Sequence, residues 1–409
     1  MNYKKLRDYI QQVNIRNKDL EVETLLGVSN TKNLIPSIAN TIGTDMSKYK
    51  ILEKRQFAYG TVTSRNGDRL SIGFLTEYEK ALVSQIYIVF EVIDETKLLP
   101  EYLMMWFSRP EFDRYARFHS HGSTRETFDW EDMCEVELPV PSIEKQREIV
   151  AQYQAVANKI KVNEQICEKL ESTAQTLYKQ WFVDFEYPNE EGKPYKSSGG
   201  TMVYNQELEK EIPEGWEVKK LEDIYKIQIG RTPPRDEPKW FNNSEDENIN
   251  WISIKDINEN GNYILSTNES LSLEAYKTFK IPLIPKDTVV LSFKMSVGKL
   301  SITNINSLSN EAIASFIENE NNYLSNKYLY LYLKCFNYKS LGTTSSIVNS
   351  INSSMIKEFK IIIPIKEVNN NFSNYIEDIY SNIKIGEIQN QKLTQLQSLL
   401  LSRLATLEG

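Results

Sequence analysis

Two histidines occur among the 409 residues, His119 and His121, two apart in a polar run. Their ring nitrogens could hold a metal, but this setting favours a solvated or phosphate-contacting pair. Arg114, Arg117 and Arg125 flank them, with Ser120, Ser123 and Thr124 between, which makes this the densest cationic stretch of the first half. A second donor-rich stretch is Thr63-Ser64-Arg65-Asn66-Gly67-Asp68-Arg69-Leu70-Ser71-Ile72. There Asn66-Gly67 signals a hairpin turn, because both residues tolerate positive φ. Arginine can donate two bonds to the edge of guanine and asparagine two to adenine. Serine, threonine and lysine mainly hold phosphates. These side chains suit recognition of a polyanion better than bond-making.

A catalyst would need a cofactor or metal site, and none is evident in the sequence. The adenine methyltransferase signature, Asn/Asp-Pro-Pro followed by an aromatic residue, is missing; Pro233-Pro234 stands in a Thr/Arg context. Neither the dinucleotide loop Gly-x-Gly-x-x-Gly nor the nucleotide-binding loop Gly-x-x-x-x-Gly-Lys-Ser/Thr occurs. Cys134, Cys167 and Cys335 are too scattered for a disulfide framework or zinc knuckle. The composition, 40% hydrophobic and 25% charged, is that of a globular protein. No apolar run reaches a membrane span and the N-terminal residues lack a signal-peptide core, so a cytoplasmic protein is expected. The net charge of −8 neither supports nor excludes nucleic acid: residues 1–140 and 207–364 each carry 18 Lys/Arg against 21 Asp/Glu. Local clustering decides phosphate contact.

The elements that must position these donors repeat. From about Ser142 to Phe185 a heptad seam runs through Ile149, Tyr153, Val156, Ile160, Asn163, Cys167, Leu170, Ala174, Leu177 and Trp181. An offset of 223 converts these into Phe372, Ile376, Ile379, Ile383, Gly386, Asn390, Leu393, Gln397, Leu400 and Leu404, weak centre included. Each helix follows a proline, Pro141 or Pro364, again 223 apart. Upstream, Thr63–Ile72 corresponds to Ser292–Ile302 as strand, basic turn, strand, and Glu101-Tyr102-Leu103 corresponds to Lys327-Tyr328-Leu329. The order predicted is a mixed α/β domain (1–140), a long helix (141–186), a Gly/Ser/Pro-rich linker (187–206), a second α/β domain (207–364) and a second long helix (365–409).

Within this frame particular motifs resemble a known family. Leu138-Pro139-Val140-Pro141-Ser142-Ile143-Glu144-Lys145-Gln146-Arg147-Glu148-Ile149 resembles the start of the first long helix of Type I restriction–modification specificity subunits, and Gln180-Trp181-Phe182-Val183-Asp184-Phe185 resembles its end. Ile212-Pro213-Glu214-Gly215-Trp216-Glu217, Leu221-Glu222-Asp223-Ile224, Gly230-Arg231-Thr232-Pro233, Trp251-Ile252-Ser253 and Asn310-Glu311-Ala312-Ile313 resemble the family's target-recognition domains. The first domain has Lys5-Leu6-Arg7-Asp8-Tyr9-Ile10 but lacks a Pro-x-Gly-Trp opening.

The resemblance implies an α+β fold: two repeated target-recognition domains separated by two long helices that form a coiled coil. It implies a non-catalytic subunit that reads a split site in double-stranded DNA and works with methyltransferase and restriction subunits. S-adenosylmethionine, ATP and magnesium would then belong to those partners, with no cofactor here. The expected DNA contacts are Arg65, Asn66, Arg69, Arg114, Arg117, His119, His121 and Arg125, and in the second half Arg231, Arg235, Lys239, Lys294, Lys299, Ser345 and Ser346. Val162, Ile166, Leu396, Leu399 and Leu401 widen the apolar stripe beyond a two-helix seam and are expected to receive methyltransferase subunits. The alternatives are part of another restriction–modification enzyme, catalytic or not, and a coiled-coil scaffold.

The helices are expected to pair antiparallel. Parallel pairing would oblige residues 187–364 to return the chain about 60 Å. Antiparallel layers would join residues whose numbers total 553: Ile160 with Leu393, Asn163 with Asn390, Cys167 with Gly386, Leu170 with Ile383.

Overall fold

Alternation of side chains explains the first sheet in a computed structural model that describes residues 3–37, 43–64, 67, 69–122, 125–241, 248–319, 322–341 and 351–406. Strands β1 (Ile10–Val13), β2 (Phe57–Tyr59), β3 (Ile72–Phe74) and β4 (Ile88–Val92) lie in the order β1-β4-β2-β3, each neighbour antiparallel. Successive strand residues face opposite sides. Phe57, Tyr59 and Phe90 enter one apolar cluster with Tyr102, Phe107 and Phe112. Ala58 and Val89 enter another with Leu26, Leu52 and Val83. Phe57 stacks on its register partners Phe74 and Phe90, both at 4.8 Å.

The second half repeats the plan. Strands β5 (Tyr225–Ile229), β6 (Tyr263–Ile264), β7 (Val289–Ser292), β8 (Leu300–Thr303) and β9 (Ile313–Glu318) lie in the order β5-β9-β7-β8-β6. Four are mutually antiparallel, and β6 adds a parallel edge. Val289, Leu291 and Phe316 point into one core, while Val290 and Ile313 point into a second. The β2–β3 and β7–β8 hairpins are therefore equivalent, and they bracket the two expected basic turns.

A closing ribbon recurs in both halves. Tyr3–Lys5 pairs with Glu137–Pro139, and Glu217–Lys220 with Lys360–Ile363. The fully buried Tyr102, on helix Pro100–Phe107, donates its hydroxyl to the Pro139 carbonyl at 3.0 Å. Tyr328, on helix Asn326–Cys335, does the same to the Ile362 carbonyl at 2.7 Å, and those carbonyls are 223 residues apart. Gln146 and Asn369, also 223 apart and buried, donate to the Lys97 and Tyr323 carbonyls, both at 2.8 Å. In each half these bonds tie a long helix to the loops ahead of it.

The chain divides into two compact units, Met1–Ile160 with Lys392–Gly409 and Lys161–Gln391. The long helices, Ile143–Phe182 and Lys366–Arg403, each contribute to both units, so compactness does not follow the segment boundaries read from the sequence. Inside the second unit Asn163 Nδ2 donates to Asn390 Oδ1 at 2.9 Å, and Trp181 packs on Phe372 at 5.5 Å. A Cβ on Gly386 would stand 2.8 Å from Cys167 Sγ, so the glycine makes room for the thiol. Inside the first unit Ile149, Val150 and Tyr153 share a cluster with Leu401 and Leu404. Low numbers meet high ones throughout, and the coiled coil is antiparallel in the expected register.

Two expectations change. Residues 187–206 do not behave as a loose linker. Tyr187 is buried, stacking on Trp216 at 5.2 Å and Tyr195 at 4.6 Å, and Met202–Asn205 pairs with Lys210–Pro213. Aromatic burial outweighs the Gly/Ser composition. Leu401, expected to face a partner, is 9% exposed and belongs to the first unit's core.

Candidate nucleic-acid interface

In the first half, Thr63, Gly67 and Leu70 between β2 and β3 are fastened to helix Pro110–Phe118 and the loop beyond it. Arg117 Nη1 donates to the Gly67 carbonyl at 3.2 Å, and Thr63 Oγ1 to Ser120 Oγ at 3.0 Å. The Leu70 N–H donates to Asp113 Oδ1 at 3.0 Å. Asp113 is buried and also pairs with Lys32 Nζ at 2.7 Å. Burial pulls the Lys32 ammonium below its usual range, and Asp113 pushes it back. This pair anchors the loop that carries Arg69.

Arg69, Arg114, Arg117 and Arg125 are all exposed on these joined segments. Arg114 meets Glu111 at 3.2 Å, a surface pair that leaves its other nitrogens to solvent. His119 stacks on Tyr115 at 4.2 Å, and His121 lies 3.7 Å from Asp132. Among the described residues no group of three His, Cys, Asp or Glu side chains is placed to hold an ion. Arg69, Arg114 and Arg117 line a cleft of about 1270 Å³, floored by Lys32, Met104, Met105 and Val150. The structure thus brings Arg69, Arg114 and Arg117 to one corner, with His119, His121 and Arg125 on the adjoining helix end and loop. Arg65 and Asn66 lie outside the described residues, as do Ser345 and Ser346.

The second half builds its corner differently. Gly230 is pressed against Ser309 and Asn310, where a Cβ would stand 2.1 Å from the Ser309 carbonyl oxygen. The Arg231 N–H donates to that carbonyl at 2.9 Å, Trp251 Nε1 donates to the Arg231 carbonyl at 3.2 Å, and the Thr232 hydroxyl bonds Glu311. Three motifs far apart in sequence thereby become one site. Arg235 projects from it, pairing with both Glu269 oxygens at 2.6 and 3.0 Å and lying 4.5 Å from the Phe241 ring and 4.8 Å from Trp251. Fork-shaped pairing and ring stacking hold a guanidinium in one orientation. Thr232 foremost, with Lys294 and Arg235, holds the Glu311 carboxyl below its usual range.

Arg231 is partly committed, donating Nη1 to the Phe279 carbonyl at 2.9 Å, and Lys239 covers Trp240 while meeting Glu237 at 3.0 Å. Lys294 and Lys299 are exposed on the β7–β8 turn. Sequence reasoning missed Asp113, Lys32, Glu269, Phe241 and Glu311 as organisers. Trp251 and Glu311 stood in noticed motifs, but nothing local assigned their partners. On the helices Val162, Ile166, Leu396 and Leu399 are exposed, unlike Leu401. Among the described residues no helix is long and apolar enough to cross a membrane.

Comparison with known proteins agrees with this architecture. A family model described as the Type I restriction modification DNA specificity domain matches residues 28–172 and 213–395. The specificity subunit of the Type I restriction enzyme HindI from Haemophilus influenzae is 25% identical, covering 92% of this chain and 91% of its own. That of MjaIX from Methanocaldococcus jannaschii is 29% identical over 76% and 70%. The crystal structure of a Type I system S subunit from M. genitalium superposes with a TM-score of 0.59 at 11% identity, covering 100% of this chain and 96% of that one. With its repeated sheets, matched helices and two donor-rich corners, the chain belongs to the Type I restriction–modification DNA specificity family.

Proposed function

We propose that this chain is the DNA-reading subunit of a Type I restriction–modification assembly, each recognition domain reading one half of a bipartite target. The observation that carries this reading is a repeated frame with unlike donor sets: Arg69, Arg114, Arg117 and Arg125 at one corner, and Arg231, Arg235, Lys294 and Lys299 at the other. Arginines on a rigid base read edges, and lysines and hydroxyls hold phosphates. The chain is non-catalytic in this reading and acts in the cytoplasm. Methyltransferase subunits dock on Val162, Ile166, Leu396 and Leu399 of the helix pair. Restriction subunits join the same assembly, and S-adenosylmethionine, ATP and magnesium are held by the partners.

The test exchanges residues 1–140 for the first domain of another family member and maps methylated adenines in a host carrying the system. One half of the recognised sequence changes and the other persists. A change in both halves, or in neither, contradicts the modular reading.

A further inference from the structure

Among the described residues the two most exposed large apolar side chains are Phe118, at 83%, and Met295, at 82%, and each recognition domain holds one. Isolated surface hydrophobics are ordinary, so exposure alone carries nothing. Met295 adds strain: its φ of +62° lies in the left-handed region that bulky residues avoid. The β7–β8 turn imposes it. The Ser292 hydroxyl bonds the Ser296 carbonyl and accepts from the Lys299 N–H at 3.3 Å, and the Gly298 N–H donates to the Ser292 carbonyl at 3.0 Å. A glycine at 295 would satisfy the same backbone with less strain. A bulky side chain kept at such a position and directed into solvent points to a use outside the fold.

The surroundings identify that use. Lys294 and Lys299 border Met295, and Arg235 and Lys294 share the field of Glu311. In the first domain Phe118 follows Arg114 by one helical turn, and Arg117 ties its helix to Gly67 of the equivalent hairpin. Each domain therefore offers one exposed apolar side chain among cationic residues, Met295 within the β7–β8 turn and Phe118 at the end of the helix that Arg117 fastens to the β2–β3 connection. Cations attract phosphates, while an apolar group among them has a partner in the thymine methyl group of the major groove.

We infer that Met295 and Phe118 are base-reading residues, each pressing on a thymine methyl group in its domain's half-site. The inference rests on the DNA-reading function proposed above. The experiment selects from a pool of randomised duplexes with the full chain and its methyltransferase subunits, then repeats the selection with Met295→Gly and Phe118→Ala. Met295→Gly leaves the melting temperature unchanged or higher, lowers affinity for the enriched duplex about tenfold, and relaxes the sequence preference in one half only. Phe118→Ala relaxes the other half. The salt dependence of binding is unchanged in both variants, because neither removes a phosphate contact, whereas Lys299→Ala makes it shallower. Uracil in place of thymine in one half-site weakens the wild type and leaves unaffected the variant that lacks the apolar side chain reading that half. Variants that select and bind as the wild type does overturn the inference while the DNA-reading function stands. A wild type that enriches no sequence overturns both.

Discussion

Residues 60–71 join β2 to β3 in the first half, and the shorter stretch 293–299 joins β7 to β8 in the second. The longer loop needs outside support, which it takes from helix Pro110–Phe118 through a buried ion pair, Lys32 with Asp113. The shorter turn is held by its own backbone bonds and by Ser292. In the second half a half-buried carboxylate serves elsewhere. Glu387 on the second long helix accepts from the N–H groups of Asn262 and Tyr263 at 2.7 and 3.0 Å, beside strand β6. A shared four-strand order thus carries hairpins secured by unlike means. The frame repeats its tyrosine and amide hydrogen bonds in both halves, while the reading edge is free to change, which a protein with two different half-sites requires.

The largest expected effect is in the first half. Asp113→Ala leaves a buried ammonium and the Leu70 N–H without their partner, and costs about 3–5 kcal/mol in denaturant unfolding. The double variant Lys32→Met with Asp113→Leu recovers most of that loss. A single-variant loss under about 1 kcal/mol would show that water reaches Lys32 and that the loop is not anchored as described.

A smaller effect compares the two edges directly. Arg235→Ala and Arg125→Ala should each weaken binding to the recognised duplex by about 1–3 kcal/mol if both guanidinia make paired contacts with bases. Thermal stability should barely move, because exposed ion pairs contribute little. Comparable losses would keep the two corners alike in function. A loss confined to Arg235 would assign base reading to the aromatic-backed site and phosphate holding to Arg125.

The smallest effect concerns the half-buried carboxyl of Glu387. Burial pushes the Glu387 carboxyl above its usual range, even though the N–H groups of Asn262 and Tyr263 draw it back. The folded chain therefore holds that proton more tightly than the unfolded chain does. Stability then falls as pH rises from the ordinary carboxylate value through the raised one. Glu387→Gln should flatten this slope in unfolding measurements between about pH 4 and pH 7, where carboxylates titrate. An unchanged slope would mean that water solvates Glu387 in the folded chain.

Much of the frame was legible in the residue order. The heptad seam, the 223 offset and the antiparallel pairing of Asn163 with Asn390 follow from local periodicity, because helical residues three and four apart must share a face. The basic turn at Lys294–Lys299 likewise located the second hairpin, whereas the strands of the first end at Tyr59 and resume at Ile72, and Asn66 lies outside the described residues. Local patterns did not show that Leu401 turns inward, that Tyr187 and Tyr195 bind the Gly/Ser-rich stretch to Trp216, or that Gly230, Trp251 and Glu311 form one site. Those outcomes depend on which strands become neighbours. Periodicity states which side of an element is apolar, but only the order β5-β9-β7-β8-β6 and a three-stranded sheet of Glu269–Ser272, Asn248–Ile252 and Leu308–Ser309 bring the Arg231 carbonyl within reach of Trp251 and the Thr232 hydroxyl within reach of Glu311.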